Sequence, residues 1–274
     1  MFSVEYKDNN AYLYNIKEFD LAQTLDCGQA FRWSDSGNGR WHGIAFNHYL
    51  EIERSGDGFV LYNTSPEDFE GLWRKYFDLD RDYGAGIADI STNEILKNAS
   101  QYGYGIRILA QEPWEALCSF IISQNNNIPR IKGIIERLCE NFGERCGDMY
   151  TFPTAERLAK LTTDDLAPLR SGFRAKYIID AAQKVANGDI DLESLKNTDA
   201  DTARDTLMTI KGVGPKVADC TLLFGLGHIS AFPRDVWIKR AMEELFGGEL
   251  PECAVPHAGI VQQYIFYYAR ENAK

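Results

Sequence analysis

The chain has 274 residues, with 29 Lys and Arg residues against 40 Asp and Glu residues and a formal net charge of -11. Apolar residues make up 45% and charged residues 25%, which excludes a disordered or fibrous chain and predicts one or two folded domains. Because nucleic-acid binders usually carry a basic surface, the total charge argues against DNA as a partner. A binding site needs only a local basic patch, so the distribution of the charges decides this question.

The N-terminus and the cysteines exclude further classes. The stretch MFSVEYKDNN lacks the basic and apolar regions of a secretory signal, and no apolar run approaches the ~18 residues of a membrane span. The six cysteines show no CxxC and no zinc-ligand spacing, so we expect reduced thiols in a cytoplasmic protein. Only Cys220 and Cys253 follow residue 200, which excludes a four-cysteine iron–sulfur cluster in that region.

Strand patterns occupy part of the first hundred residues. In WHGIAFNH, one set of residues alternates with a second: Trp41, Gly43, Ala45 and Asn47 with His42, Ile44, Phe46 and His48. The segment YLEIER follows directly, and FVLYNT comes after the turn SGDG. The stretch EDFEGLWRKYF indicates one short helix. These patterns predict an α+β fold in which an N-terminal antiparallel sheet domain, residues 1–105, packs on a helical body, residues 106–274.

Helical patterns dominate from about Trp114 onward. The predicted helices are WEALCSFIISQ, IPRIKGIIERLCENFG, FRAKYIIDAAQKVANG, DTARDTLMTI, PKVADCTLLFGLG, VWIKRAMEELFGG and GIVQQYIFYYAREN. The first two predicted helices are separated by three asparagines, Asn125, Asn126 and Asn127. Glycines at 143 and 188 follow the ends of two predicted helices. We expect the last helix to pack near the N-terminal domain.

A glycine-rich turn joins two helices at residues 204–227, where the sequence reads Lys211-Gly212-Val213-Gly214. Glycine lets the backbone adopt positive φ and approach another group closely. Pro215 fits the first position of the second helix, whose unpaired N–H groups can bind a phosphate. The turn alone is also compatible with a plain helix–helix connection.

Two charged residues make the turn more informative. Lys216 is the second residue of the following helix, where the dipole disfavours a cation and favours the neutral, nucleophilic amine. Cys220 lies at i+4 on the same face, and Asp235 is placed to cap the next helix. Either Lys216 binds phosphate and Asp235 only caps, or Lys216 is a nucleophile and Asp235 its carboxylate.

GVGPKVADC followed by FPRDVWIKR resembles the helix–hairpin–helix superfamily of DNA glycosylases, in which a lysine at this position marks the bifunctional branch. KVADC further resembles the 8-oxoguanine DNA glycosylase family. Four more motifs follow that family's order along the chain: CGQAFRW at 27–33, SQNNNIPRI at 123–131, SGFRAKY at 171–177 and GIVQQYIF at 259–266.

The resemblance implies a catalytic pair and a flipped nucleotide. Lys216 would attack the anomeric carbon and expel the base, and the resulting imine would permit strand cleavage by β-elimination. Asp235 would stabilise the positive charge that develops on the sugar, whereas Asp219 is expected to form a structural ion pair. This chemistry requires no metal and no cofactor. Three hairpin carbonyls form a candidate cation site: Met208, Ile210 and Val213.

The resemblance also implies a base pocket. The carbonyl of Gly28 would distinguish the protonated N7 of 8-oxoguanine from the acceptor N7 of guanine, although Gly28 also fits a simple turn. Gln262 would read the Watson–Crick edge and Phe266 would stack on the base, with Cys220 on the opposite face. Gln263 and Tyr267 share the i, i+4 spacing of that pair, and a core helix with surface glutamines is the alternative.

Further residues would hold the duplex. Asn125 would fill the gap left by the flipped nucleotide, Arg130 and Arg174 would bind the orphaned cytosine, and Phe173 would wedge between base pairs. Gly212, Gly214 and Trp237 would face phosphates. Two positions depart from the family pattern: Phe173 where tyrosine is frequent, and Trp237 where some members have histidine.

The expected function is therefore excision of 8-oxoguanine from double-stranded DNA by a monomer in a prokaryotic cytoplasm, at the nucleoid. One alternative is a monofunctional alkylated-purine glycosylase, against which Lys216 argues. The other is a non-catalytic DNA-binding protein, which would keep the hairpin but would not require Lys216, Asp235 and the pocket residues together.

The charge distribution supports DNA binding. Residues 204–240 hold six basic and three acidic residues, and residues 170–184 hold four basic residues and one acidic residue. Residues 51–100 instead hold eleven acidic and five basic residues. The acidity lies largely outside the predicted DNA-contacting segments, so we expect a modest affinity for DNA that depends steeply on salt.

Overall fold

The computed structural model describes residues 2–272, which form two compact units. The sheet unit takes the described residues of Met1–Gly43, Leu50–Ala110 and Phe232–Lys274. The helical unit takes Ile44–Tyr49 and Gln111–Ala231. The two units thus alternate along the chain. No helix in the described residues is long and apolar enough to cross a membrane.

Six strands form one sheet in the spatial order β1-β2-β6-β5-β4-β3. Their bounds are β1 Ser3–Lys7, β2 Asn10–Tyr14, β3 Trp33–Gly37, β4 Arg40–Ala45, β5 His48–Ser55 and β6 Gly58–Leu61. Strands are observed as β4, β5 and β6 where WHGIAFNH, YLEIER and FVLYNT predicted them. The first predicted strand is wrong at Phe46 and Asn47, which have positive φ and form the turn between β4 and β5. The strands β1 and β2 pair with each other from Ser3 opposite Tyr14 to Lys7 opposite Asn10.

The core of the sheet unit is aromatic. Trp33, the last residue of the CGQAFRW motif, is fully buried and donates its indole N–H to the Tyr76 hydroxyl at 2.7 Å. Trp73 and Phe77 pack against the same indole. Trp73, Tyr76 and Phe77 belong to the segment EDFEGLWRKYF, which was predicted to be helical. This segment consists of α2 Pro66–Asp68, a π-helical turn Phe69–Trp73 and α3 Arg74–Tyr76. Ser65 and Asp68 form a capping box at its start.

The remaining helices of the sheet unit are α1 Leu21–Leu25, α4 Tyr83–Ile90, α5 Glu94–Tyr102, α13 Val236–Phe246 and α14 Ala258–Asn272. The last two confirm predicted helices. Sequence patterns missed α4 and α5, which are short and precede the long helical region. The final helix α14 packs against α5 and α13.

The helical unit contains α6 Pro113–Ser123, α7 Ile128–Phe142, α8 Ala155–Leu158, α9 Ala175–Ala186, α10 Leu192–Leu195, α11 Ala200–Met208 and α12 Pro215–Phe224, with a two-strand hairpin of β7 Arg145–Cys146 and β8 Met149–Tyr150. Pro129 lies in the first turn of α7 and Pro215 opens α12, as predicted. Phe173 and Arg174, predicted as the start of the third helix, instead belong to a 3₁₀ turn, Gly172–Arg174, before α9. The α+β fold class is confirmed.

Candidate active site

The hairpin turn needs glycine at residue 212. Gly212 has φ +78°, and a Cβ atom there would lie 2.4 Å from the Tyr177 ring. Gly214 has φ -102° and is the N-cap of α12, with no side-chain cap in this part of the described structure. The first N–H groups of α12 are therefore not bound by a capping side chain, which leaves them suited to an anion such as phosphate.

Lys216 lies in the first turn of α12 and is half-buried. Its Nζ donates a hydrogen bond to Ser123 Oγ at 3.1 Å and lies 5.4 Å from the centroid of the Phe120 ring. The Ser123 hydroxyl in turn donates to the Phe120 carbonyl at 2.8 Å, so its oxygen can accept from the lysine. An amine held as a donor keeps its lone pair for attack, provided it is neutral.

Asp219 is engaged elsewhere, as predicted. Its carboxylate pairs with Arg204 at 2.6 Å, and Arg204 also contacts Asp201 at 2.5 Å. The hydrogen bond that Arg204 donates to Asp219 is the main reason that the pKa of Arg204 is raised above its ordinary value. The expectation of a structural ion pair at Asp219 is confirmed.

The asparagine-rich segment forms a loop between α6 and α7. Asn125 is exposed and has φ +45°, a left-handed conformation that asparagine tolerates better than most residues. Asn127 caps α7 by accepting the N–H of Arg130 at 3.0 Å. The loop thus presents Asn125 and, one turn further on, the exposed side chain of Arg130.

Arg174 supports this loop from behind. Its guanidinium donates to the Gln124 carbonyl at 2.9 Å, to the Asn125 carbonyl at 3.0 Å and to the Ser171 carbonyl at 3.2 Å. Burial, with the nearby charge of Arg130, lowers the pKa of Arg174. The side chain is only 2% exposed, so its predicted contact with cytosine would depend on the little donor capacity that remains. That contact stays a prediction.

Phe173, unlike the buried Arg174, is 49% exposed. It lies edge-on to the Tyr177 ring, with centroids 5.9 Å apart, and 4.5 Å from the Arg174 guanidinium. An exposed phenyl ring next to this loop is suited to insertion between base pairs, as apolar side chains do in kinked DNA.

In the sheet unit, Asp235 caps α13. Its Oδ1 accepts the N–H of Ile238 at 2.8 Å, which is the capping role that the sequence left open. The cap uses only one carboxylate oxygen and thereby fixes the orientation of the side chain. Trp237, on the first turn of α13, is 47% exposed.

Gln262 and Gln263 are both buried on α14, each 4% exposed, so the alternative of surface glutamines is wrong. Gln263 Nε2 donates to Gln262 Oε1 at 2.8 Å. In the described residues, Gln263 Oε1 has no hydrogen-bond partner. Phe266, one turn further on, is half-buried, and the Arg270 guanidinium lies 6.0 Å from its ring. Buried amides with unmet hydrogen-bonding capacity suit the recognition of a polar base.

Gly28 has φ +94°, so its turn conformation favours glycine. The adjacent Gln29 is fully buried and bound on both amide atoms: it donates to the carbonyls of Thr24 and Arg107, and accepts the N–H of Leu109. This network fixes the main chain next to Gly28. A fixed carbonyl is what the predicted N7 contact would need.

The Lys184 ammonium lies beside the candidate cation site. The Ile210 carbonyl accepts the N–H of Val213 at 3.0 Å, and the carbonyl of Thr209, between two of the predicted donors, accepts the Lys184 ammonium. Cation binding by Met208, Ile210 and Val213 stays a prediction.

Sequence reasoning missed the side chains that hold the candidates in place. Ser123 is the first residue of the asparagine-rich motif and Gln29 follows Gly28 within CGQAFRW, whereas Gln263 was considered only as an alternative to Gln262. Their position inside the quoted motifs was the available signal. Asp180, which binds the hairpin turn, lies outside every motif.

Comparison with known families defines the class. A family model described as HhH-GPD superfamily base excision DNA repair protein matches residues 118–251. A second model, 8-oxoguanine DNA glycosylase, N-terminal domain, matches residues 11–117. The chain is 34% identical to the N-glycosylase/DNA lyase of Saccharomyces cerevisiae over 264 residues, which cover 82% of this chain and 68% of the yeast protein.

Two solved structures share the fold of this chain over 99% or more of its length. The Clostridium acetobutylicum 8-oxoguanine glycosylase/lyase, in complex with DNA containing cytosine opposite 8-oxoguanine, is 40% identical, with a TM-score of 0.93 over 99% of each chain. MBOgg1, in complex with a low affinity DNA ligand, is 43% identical, with a TM-score of 0.94 over 100% of each chain. The chain belongs to the 8-oxoguanine DNA glycosylase family and is a DNA repair enzyme of the N-glycosylase/DNA lyase type.

Proposed function

We propose that the enzyme excises 8-oxoguanine from double-stranded DNA, preferentially opposite cytosine, and then cleaves the strand. The observation that carries this proposal is Lys216: an amine in the first turn of the hairpin's second helix, held by a hydroxyl rather than by a carboxylate of its own unit. The Clostridium acetobutylicum relative, solved with that base pair, supports the choice of substrate.

Lys216 is the proposed nucleophile. Its Nζ bonds to C1′ of the damaged nucleotide as the bond from C1′ to the base breaks, and the base leaves with a proton. Opening of the sugar gives an imine on Lys216. Loss of a C2′ proton then expels the 3′ phosphate, because the imine accepts the electron pair.

Asp235 is the proposed electrostatic partner of this step. A carboxylate stabilises the positive charge that develops on the sugar as the base departs. Its role as N-cap is compatible with this function, because the cap holds one oxygen in a defined orientation.

Recognition falls to two further groups of residues. Gly28, Gln262, Phe266 and Cys220 are the proposed readers of the base. For the duplex, we propose Asn125, Phe173 and the exposed Arg130 at the vacated position, with Arg174 acting on cytosine or through the loop that it holds. Gly212, Gly214 and Trp237 are proposed phosphate neighbours.

Borohydride reduction during reaction with a duplex containing 8-oxoguanine opposite cytosine tests the proposal. We expect a covalent protein–DNA adduct, because borohydride reduces the imine. Lys216→Gln should abolish the adduct, whereas Lys239→Gln, which removes an exposed lysine from the same basic stretch, should leave it intact. An adduct that survives Lys216→Gln would overturn the nucleophile assignment.

The same assay separates the alternatives. A monofunctional alkylated-purine glycosylase would release alkylated purines faster than 8-oxoguanine and form no adduct, and a DNA-binding protein without chemistry would bind the duplex and release nothing. The prokaryotic cytoplasmic location, the monomeric state and the domain boundary at residue 105 stay predictions.

A further inference from the structure

One face of α9 contacts the hairpin turn. Tyr177, Asp180 and Lys184 lie at positions i, i+3 and i+7, a spacing that aligns side chains on a helix. We call these three residues the hairpin clamp. They contact the hairpin main chain at three nearby residues, namely Gly212, Lys211 and Thr209.

Asp180 is the centre of the clamp. Its carboxylate accepts the main-chain N–H of Lys211 at 2.8 Å and pairs with the Lys211 ammonium at 3.2 Å. The Lys184 ammonium lies 3.5 Å from the same carboxylate. Burial by itself raises the pKa of Asp180, but the hydrogen bonds from Lys211 and the charge of Lys184 outweigh it and lower that pKa below its ordinary value.

The other two members fix the turn on either side. Lys184 donates to the Thr209 carbonyl, at the C-terminal end of α11, where helix carbonyls lack partners within the helix. The Tyr177 ring lies against Gly212 so closely that no side chain fits there. The main chain that precedes the N-terminus of α12 is therefore set by side chains of α9.

A carboxylate in this place has two opposing effects on DNA binding. Its negative charge repels phosphates, so charge alone predicts that removing it tightens binding. Its contacts hold the turn in one conformation, so loss of the contacts weakens binding. The side chain is only 11% exposed and has two ammonium groups against it, which reduces the first effect.

We infer that Asp180 is a positioning residue for DNA binding: it holds the hairpin turn through Lys211 and Lys184, so that removing this negative charge weakens the affinity for DNA. The inference rests on the proposed function, because it takes the hairpin as a phosphate-binding element.

The test is the affinity for a duplex containing an uncleavable abasic-site analogue, measured by fluorescence anisotropy. Asp180→Asn keeps the size and one acceptor but loses the ion pairs, and we expect a dissociation constant about 3- to 10-fold higher, with a larger loss for Asp180→Ala. Asp205→Asn removes the same charge from an exposed position on α11 and should bind as tightly as wild type or slightly tighter.

A second pair of variants does not depend on Asp180 variants folding. Lys184→Gln and Lys176→Gln each remove one positive charge from α9. Lys184 binds the turn at Thr209, whereas Lys176 is exposed and lies 5.2 Å from the centroid of the Tyr177 ring. We expect the larger loss of affinity for Lys184→Gln. In turnover assays the loss for Asp180→Asn should fall mainly on KM rather than on kcat, because Lys216 is unchanged.

The outcomes are distinct. Asp180→Asn binding as well as or better than wild type would overturn the inference, and so would an equal loss for Asp205→Asn. If Asp180→Asn fails to unfold cooperatively on heating, the Lys184 and Lys176 pair decides, and equal losses there reject the clamp. Wild-type protein that binds no duplex would instead refute the proposed function, and the inference with it.

Discussion

The two units hold their candidate residues in different ways. In the sheet unit, the candidate base-reading side chain Gln262 is buried and hydrogen-bonded to another buried amide. In the helical unit, Asn125 and Phe173 are exposed, and other side chains bind the loop main chain around them. A buried amide can discriminate a base because an unmatched partner leaves it unsatisfied. An exposed loop can enter a duplex, and it does so at a lower entropic cost when its backbone is already fixed.

Substitutions in the two units should therefore reduce different measured properties. Changes at the buried amides should affect recognition of the base, whereas changes at the supported loops should affect affinity for the duplex and the stability of the hairpin.

The largest effect is expected for Gln262→Ala. An unmatched buried polar group costs about 1–3 kcal/mol, so kcat/KM for release of 8-oxoguanine should fall about 10- to 100-fold. Cleavage of a duplex with a preformed abasic site should fall far less, because that step needs Lys216 and no base. Equal losses in the two assays would contradict the division between base reading and strand cleavage. Gln263→Ala, which removes only the neighbouring amide, should cause a smaller loss of the first activity.

The next effect concerns the hairpin itself. Gly212→Ala introduces a Cβ atom at φ +78° and 2.4 Å from the Tyr177 ring, so we expect the free energy of unfolding to fall by about 1–3 kcal/mol and DNA affinity to fall with it. Thermal unfolding and anisotropy measure the two losses. Gly214→Ala is the matched control, because its φ is -102° and no atom lies within 4 Å of the added carbon. It should lose less than about 1 kcal/mol of stability. Similar stability losses for the two variants would show that strain at residue 212 is not the cause.

The smallest effect lies in the sheet. Arg40 and Tyr62 both donate to Glu53, and the bond from Arg40 is the main reason that the pKa of Glu53 is lowered. A lowered pKa stabilises the folded state above the pKa of the unfolded chain, and this stability is lost as the pH falls through the lower, folded value. We expect Glu53→Gln to cost roughly 0.5–1 kcal/mol at neutral pH and progressively less in acid.

Thermal unfolding at neutral pH and below about pH 4 checks this expectation. Glu5→Gln, on an exposed strand position of the same sheet, should show little change at either pH. Base excision should be unaltered in the Glu53 variant, because this cluster supports the sheet only. A stability difference that grew in acid would reverse the assigned sign.

Several features followed from local patterns. Helix ends at Gly143 and Gly188 and prolines in the first turns of α7 and α12 express local backbone preferences, and they were predicted correctly. The alternation predicted over residues 41–48 was wrong after Gly43, because Ile44 and Ala45 are both buried and a turn follows. The π-helical turn at Phe69–Trp73 was not predicted; Phe69 and Trp73 are both buried, and Trp73 packs edge-on against Trp33, which is distant in the chain. The buried state of Gln262 and Gln263 was also inaccessible, since the spacing of polar and apolar residues favours neither glutamine.

The sequence by itself determined the α+β class, the hairpin with Lys216 and the family to which the chain belongs, because short motifs and their order carry this information. Only the tertiary structure decided which side chains hold those motifs in place. Ser123 binds Lys216, Arg174 supports the loop of Asn125, and Asp180 binds the hairpin. Each of these contacts joins segments far apart in the chain. Their partners are set by packing rather than by any pattern of neighbouring residues.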